Sequence, residues 1–240
     1  MLLERSILSR YAGAMPVKNV IKEYKKDSYY HIYNIGIESR TIFEDNQDYQ
    51  TFINYLEHSL VPPRNKQDLQ KTITIKGNTF KGSPRQPKNF YGQLELHAFC
   101  LMPTHFHFLV KQRQQNGIET FMRSLGTRYV MYFNKRHGRR GPLFQGTYKA
   151  TDIKNEAMLL HLSRYIHRKP LLTSKGLETP HSSYAAYTNK HPMDWVTTKE
   201  INEMLDRDGL LKSINPTYKH FIELFKEDSK KVLGDLILED

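Results

Sequence analysis

Residues 102–110 read MPTHFHFLV, and the alternation that begins at His105 decides the fold. Successive side chains of a strand point to opposite faces. His105 and His107 therefore share one face, and Phe106 and Phe108 share the other, where a core must cover them. Met102-Pro103-Thr104 reads as a turn. Gln93 to Leu101 before it alternates as a strand, so the two runs predict an antiparallel hairpin. Two imidazoles on one strand face can reach one divalent metal. Two hydrogen-bonded surface histidines give the same spacing, so the pair alone leaves both readings open.

Outward from the hairpin, the periodicity changes. Ser28 to Asn34 (SYYHIYN) is aromatic-rich and predicts a strand. Asp45 to Leu60 opens with acids and then spaces Tyr49, Phe52, Ile53, Leu56 and Leu60 as a helix does. Gly117 to Arg136 repeats that spacing, Leu143 to Ala150 predicts a short strand, and Lys154 to Arg168 predicts a helix stopped by Pro170. From Leu171 to Thr197 the chain reads as loop. Helices are expected near Thr198–Asp208 and Pro216–Lys231. The order β-α-(loop)-β-β-α-β-α predicts an α+β fold: a ferredoxin-like antiparallel sheet with helices packed on it. The expected organisation is an N-terminal arm at 1–28, a central domain at 29–172 with a basic insertion at 61–92, and a helical C-terminal extension at 173–240.

Charge marks a partner. The 240 residues hold 36 Lys and Arg against 25 acids, a net +11. That excess sits in the middle. Residues 61–92 carry seven basic residues and one acid, and residues 111–149 carry nine and one. A basic middle with a mildly acidic C-terminus points to a polyanion for the middle only. No apolar run approaches a membrane span, and the charges at Glu4, Arg5 and Arg10 argue against a secretory leader. Cys100 is the only cysteine, which excludes an internal disulfide and fits a cytoplasmic setting.

The blocks YYHIYNIGIESRTIF, MPTHFHFLV, GPLFQGTYK, SRYIHRKP and SSYAAY follow in an order that resembles the HUH single-strand-DNA transposases of the single-tyrosine class. The resemblance spans about Tyr29 to Pro170. The length beyond it is most like the REP-associated tyrosine transposases. It implies the HUH endonuclease fold, with His105 and His107 as metal ligands, Mg²⁺ or Mn²⁺ as cofactor, and Tyr165 as the nucleophile. Tyr129 and Tyr132 are the alternative tyrosines. A phenol with pKa near 10 is a poor nucleophile at neutral pH, and the metal compensates by polarising the scissile phosphate. The implied product is a 5′-phosphotyrosine with a free 3′-hydroxyl. The implied partner is single-stranded DNA bearing palindromic hairpins. Relatives of this class include homodimers.

Two positions depart from that family. An Asn or Gln usually follows the tyrosine by four residues and adds a metal ligand, whereas this chain has Lys169, whose ammonium has no lone pair. His161, one turn before Tyr165, is a substitute ligand, or Lys169 contacts the phosphate itself. Thr147 in GTYK stands where relatives often have Arg. These departures leave a second reading open: a hairpin-binding protein of the same fold with weakened catalysis. An RNA-binding sheet with exposed aromatics at Tyr29 to Tyr33 is a third. Arg123, Arg128, Lys135, Arg136, Arg139 and Arg140 are the candidate DNA contacts, with His137 and Lys149 read as plain surface.

Overall fold

In the computed structural model, β5 (His105–Gln112) is an inner strand, hydrogen-bonded to β4 (Leu94–Met102) on one side and to β1 (Tyr29–Ile35) on the other. β6 (Lys149–Asp152) pairs with the far side of β1, giving an antiparallel sheet in the order β4-β5-β1-β6. The structure describes residues 23–65, 67–83, 85–173, 176–177, 179–208, 217–223 and 233. The crossings of α1 (Asn46–Leu60) from β1 to β4 and of α2 (Gly117–Arg136) from β5 to β6 make the expected ferredoxin-like layering. The long connection after α1 carries a separate two-stranded ribbon, β2 (Lys71–Ile75) and β3 (Asn78–Gly82).

The sheet is covered on both faces. Phe106 and Phe108 pack against Phe52 of α1, and Phe52 in turn meets Tyr129 of α2 at 4.8 Å between ring centres. α1 starts where Asp45 caps it, its carboxylate accepting the amides of Gln47 and Asp48. Asp48 is fully buried and binds the end of α2: Arg136 Nη1 at 2.5 Å, His137 Nε2 at 3.1 Å and the Tyr132 hydroxyl at 3.0 Å. A buried carboxylate is tolerable only with such partners.

α3 (Glu156–Arg168) lies on the opposite face, against β4 and β5. Asn155 caps it, accepting the Met158 amide at 2.8 Å. Its outer side is covered by α5 (Lys199–Asp208) and α6 (Tyr218–Glu223), which is why it carries buried polar residues. Arg164 and Arg168 donate to the carbonyls of Phe221 and Ile222 at 2.9 and 2.7 Å. His167 is fully buried between the Tyr218 hydroxyl and Ser183 Oγ, and burial pushes its pKa down to about 3. Trp195 stacks on Phe99, as a packing residue would.

Several expectations shift. The segment read as loop beyond Leu171 contains a short helix, α4 (Tyr184–Tyr187), and runs along the free edge of β4. Leu101 N donates to His181 O, Ser183 N to Phe99 O, and Thr197 N to Leu96 O. That cover removes an open sheet edge. The strand expected at Leu143–Ala150 starts only at Lys149, because Phe144 makes a lone bridge to Gly36 and Gly146 turns the chain at φ +82°. The helix expected over Pro216–Lys231 is seen at Tyr218–Glu223, and its remainder lies outside the described residues. Residues 1–22 of the expected arm lie outside them too. The described part, from Tyr24 to Asp27, is tied down. Tyr24 bonds the Tyr148 hydroxyl, Gln112 donates to the Tyr24 carbonyl, and Asp27 pairs with Arg113. Tyr30 and Tyr33 are buried, so β1 is not an open aromatic platform.

Candidate active site

β5 holds His105 and His107 on the sheet face that α3 covers, with ring centres 5.1 Å apart and planes nearly perpendicular. Each ring spends one nitrogen locally. His105 Nδ1 meets Thr104 Oγ1 at 2.9 Å, and His107 Nδ1 shares a hydrogen bond with His31 Nε2 at 3.0 Å. The nitrogen of each ring that would face a metal is therefore Nε2. Such second partners fix the tautomer and orientation of a ligating histidine.

Tyr165 comes to this face from α3. Its ring centre is 6.0 Å from that of His107, at 82°. The Lys169 ammonium lies 4.5 Å from the centre of the Tyr165 ring, and Lys169 is only 9% exposed. The family-pattern positions 165 and 169 thus meet in space, as i and i+4 of one helix face do. His161 is on α3 as well, but the ring it meets is Phe221 of α6, 6.1 Å away. Both rings of the alternative tyrosines are spent on packing. Tyr129 is fully buried and donates to the Ile42 carbonyl, while Tyr132 bonds Asp48.

Three neighbours escaped the sequence reading. His31 and Tyr33 of β1 stack with each other at 5.1 Å and with His107 at 5.3 and 6.0 Å. Lys149, read as plain surface, places its ammonium 5.4 Å from the centre of the Tyr33 ring. The available signal was the alternation of SYYHIYN, which puts His31 and Tyr33 on one face of a strand. What it lacked was the register that pairs Tyr33 with His107.

The six candidate cations are not brought to the histidines. They belong to α2 and the turn after it, in the layer across the sheet. Arg136 holds Asp45 and Asp48, and Arg128 lies 4.1 Å over the Tyr55 ring, half-buried, which lowers its pKa. Arg139 donates to Asn134 Oδ1 at the end of α2. Arg123, Lys135 and Arg140 are exposed. His137, also read as surface, is bound to Asp48.

As a donor set, His105 and His107 offer two neutral nitrogens. Among the described residues the one cluster of three or more His, Cys, Asp or Glu is Glu95, His97 and Glu200, so no third such ligand joins them. Two imidazoles suit Mn²⁺ better than Mg²⁺, which prefers an all-oxygen shell. The Glu95 group is an ion-pair lattice instead. Arg113 bridges Glu95 and Glu200 at 2.9 and 3.1 Å, Lys111 binds Glu200 at 2.9 Å, and the Tyr29 hydroxyl bonds Glu200. His97, 3.7 Å away, and the Arg113 guanidinium lower the Glu95 pKa to about 2.

Among the described residues no helix is long and apolar enough to cross a membrane. No curated protein matches the chain. A solved REP-associated tyrosine transposase bound to a REP hairpin is similar at 16% identity, over 74% of this chain and 92% of that one, with a TM-score of 0.46. The family model described as "Transposase IS200 like" matches residues 88–169, the stretch from just before β4 to Lys169. That stretch holds the histidine pair, the tyrosine and the strands that position them. Over residues 88–169 this chain is similar to the IS200-like transposase family.

Proposed function

We propose that the chain is a metal-dependent single-strand DNA endonuclease and strand transferase acting at hairpin-flanked sites, with Tyr165 as its nucleophile. The observation that carries the reading is the placement of the Tyr165 ring beside His107, within one chain. Residues 105 and 107 supply the ligands, and His31 and Thr104 hold those rings in place. A bound Mn²⁺ or Mg²⁺ would polarise the scissile phosphate and stabilise charge on the leaving oxygen. Tyr165 Oη attacks phosphorus, the bond from phosphorus to the 3′ oxygen breaks, the phenol gives up its proton and the leaving oxygen takes one up. The new phosphotyrosine conserves the phosphodiester's reactivity, so joining is the same exchange run backwards at another 3′ end. Lys169 sets a positive charge beside the ring, where it attracts the phosphate.

The test is incubation of the protein with hairpin-bearing single strands and Mn²⁺, followed by denaturing electrophoresis. A covalent protein–DNA adduct that disappears in Tyr165→Phe is expected. An adduct that survives the substitution moves the nucleophile elsewhere. Binding that is intact, salt-dependent and indifferent to chelation, with no adduct on any strand, leaves the second reading, a hairpin-binding protein with weakened catalysis. Lys169 at the usual ligand position is what favours that alternative.

A further inference from the structure

Among the described residues, nothing covers one apolar face of the β2–β3 ribbon. Register pairs Ile73 with Phe80 and Ile75 with Asn78 on that face, while Thr72, Lys81, Thr74 and Thr79 make the other. Ile73, Ile75 and Phe80 are 40, 58 and 54% exposed, and every residue of both strands except Gly82 is exposed. Buried, these side chains would be ordinary core. An isolated two-stranded ribbon is marginally stable in water.

The ribbon is built to project. Lys76 and Gly77 both have positive φ, +50° and +82°, as a two-residue hairpin turn matching strand twist requires. Lys76 is thereby at the tip. The root is pinned: Asn89 donates to the carbonyls of Val61 and His58, and Phe90 N donates to Ser59 O. Lys71 shares the apolar face, Lys76 is at the tip and Lys81 follows Phe80 on the other face, with Arg64, Arg85 and Lys88 on the stems. Asp68 is the single acid of residues 61–92.

Apolar centre and cationic rim together describe a nucleic-acid surface better than a protein one. A second copy of this chain would bring the same cations against themselves. Double-stranded DNA has a major groove about 12 Å wide that admits a two-stranded ribbon, with thymine methyls and base edges on its floor and phosphates on both rims. We propose that the β2–β3 ribbon enters the major groove of a duplex DNA stem, Ile75 and Phe80 meeting the base edges and Lys71, Lys76 and Lys81 the phosphates. The inference rests on the reading of the chain as a DNA-hairpin enzyme, and it names the element that grips the stem.

Binding of a fluorescent hairpin oligonucleotide, followed against salt concentration, tests it. Lys71→Ala, Lys76→Ala and Lys81→Ala combined should lower the slope of log K against log salt by about 2.7, at about 0.9 per phosphate contact. Ile75→Ser with Phe80→Ser should weaken hairpin binding about tenfold and leave that slope unchanged. All five positions are exposed, so thermal melting should match the parent chain. Unchanged hairpin affinity and slope in both variants overturns the proposal, as does a change in oligomeric state with DNA binding intact. Adducts on unstructured strands separate the two claims. An adduct with no ribbon dependence on hairpins removes this inference alone. Ribbon-dependent hairpin binding without any adduct keeps it and removes the catalytic reading.

Discussion

The Lys169 ammonium stands 4.5 Å from the centre of the Tyr165 ring, one helical turn on from it. A mostly buried cation over an aromatic face contributes up to about 2 kcal/mol. The same charge opposes a divalent ion bound nearby. Lys169→Asn exchanges it for an amide oxygen with lone pairs. Mn²⁺ binding, read by electron paramagnetic resonance of the free ion, should tighten in this variant. Lys169→Met should tighten it less, because it removes the charge and adds no ligand. Equal affinities in all three proteins would place Lys169 outside the metal's reach.

His31 should matter to the metal without touching it. His31→Phe keeps a ring in the stack with Tyr33 and leaves His107 Nδ1 without its bond. Loss of such an orienting partner costs about ten- to a hundredfold in metal affinity. Tyr165→Phe should leave Mn²⁺ binding near the parent value, so the two variants separate ligand orientation from nucleophile. A His31→Phe protein that binds Mn²⁺ as tightly as the parent would refute the role.

Asp48 and Arg136 belong to stability. Asp48→Ala leaves Arg136, His137 and Tyr132 facing a vacated buried site, and breaking one side of a buried pair costs about 3 kcal/mol. Chemical denaturation should register that loss. Arg136→Ala should also lower the denaturation midpoint, while DNA affinity per folded molecule stays constant. A drop in DNA affinity with unchanged stability would return Arg136 to the binding surface.

Acid should loosen the C-terminal layer. The unfolded His167 titrates near 6.5, while in the fold burial holds it down to about 3. Between those values the unfolded chain binds the extra proton, so stability falls as pH falls, by up to about 1.4 kcal/mol per unit. Urea midpoints between pH 7 and 4 should show that slope. His167→Gln, which keeps a donor and an acceptor, should flatten it. An unchanged slope in that variant would assign the acid sensitivity to other groups.

The hairpin and α2 were legible because their signals are local. HFHFLV alternates, and Ile118, Phe121, Met122, Leu125 and Tyr129 fall on one helical stripe. Tyr165 was placed by its block, and β5 meets α3 as that block implies. The partners of these residues were not legible. His31 matters through the register of β1 on β5, and His137 through a carboxylate 89 residues away. The cover on β4 eluded prediction for a related reason. His181 and Ser183 bind a strand edge through backbone atoms and the Ser183 hydroxyl, which leaves no hydrophobic pattern behind. Likewise, the pairing of Arg136 with Asp45 and Asp48 was hidden, because charge is visible in sequence and pairing is not.

Arg164, His167 and Arg168 fasten the helix of Tyr165 to the C-terminal segment, turn after turn. Any swing of that helix would have to break these bonds. If a DNA end becomes attached to Tyr165, that end is parked at a fixed address. Exchange then requires one strand to depart and another to arrive at a stationary bench, with the nucleic acid making the journey.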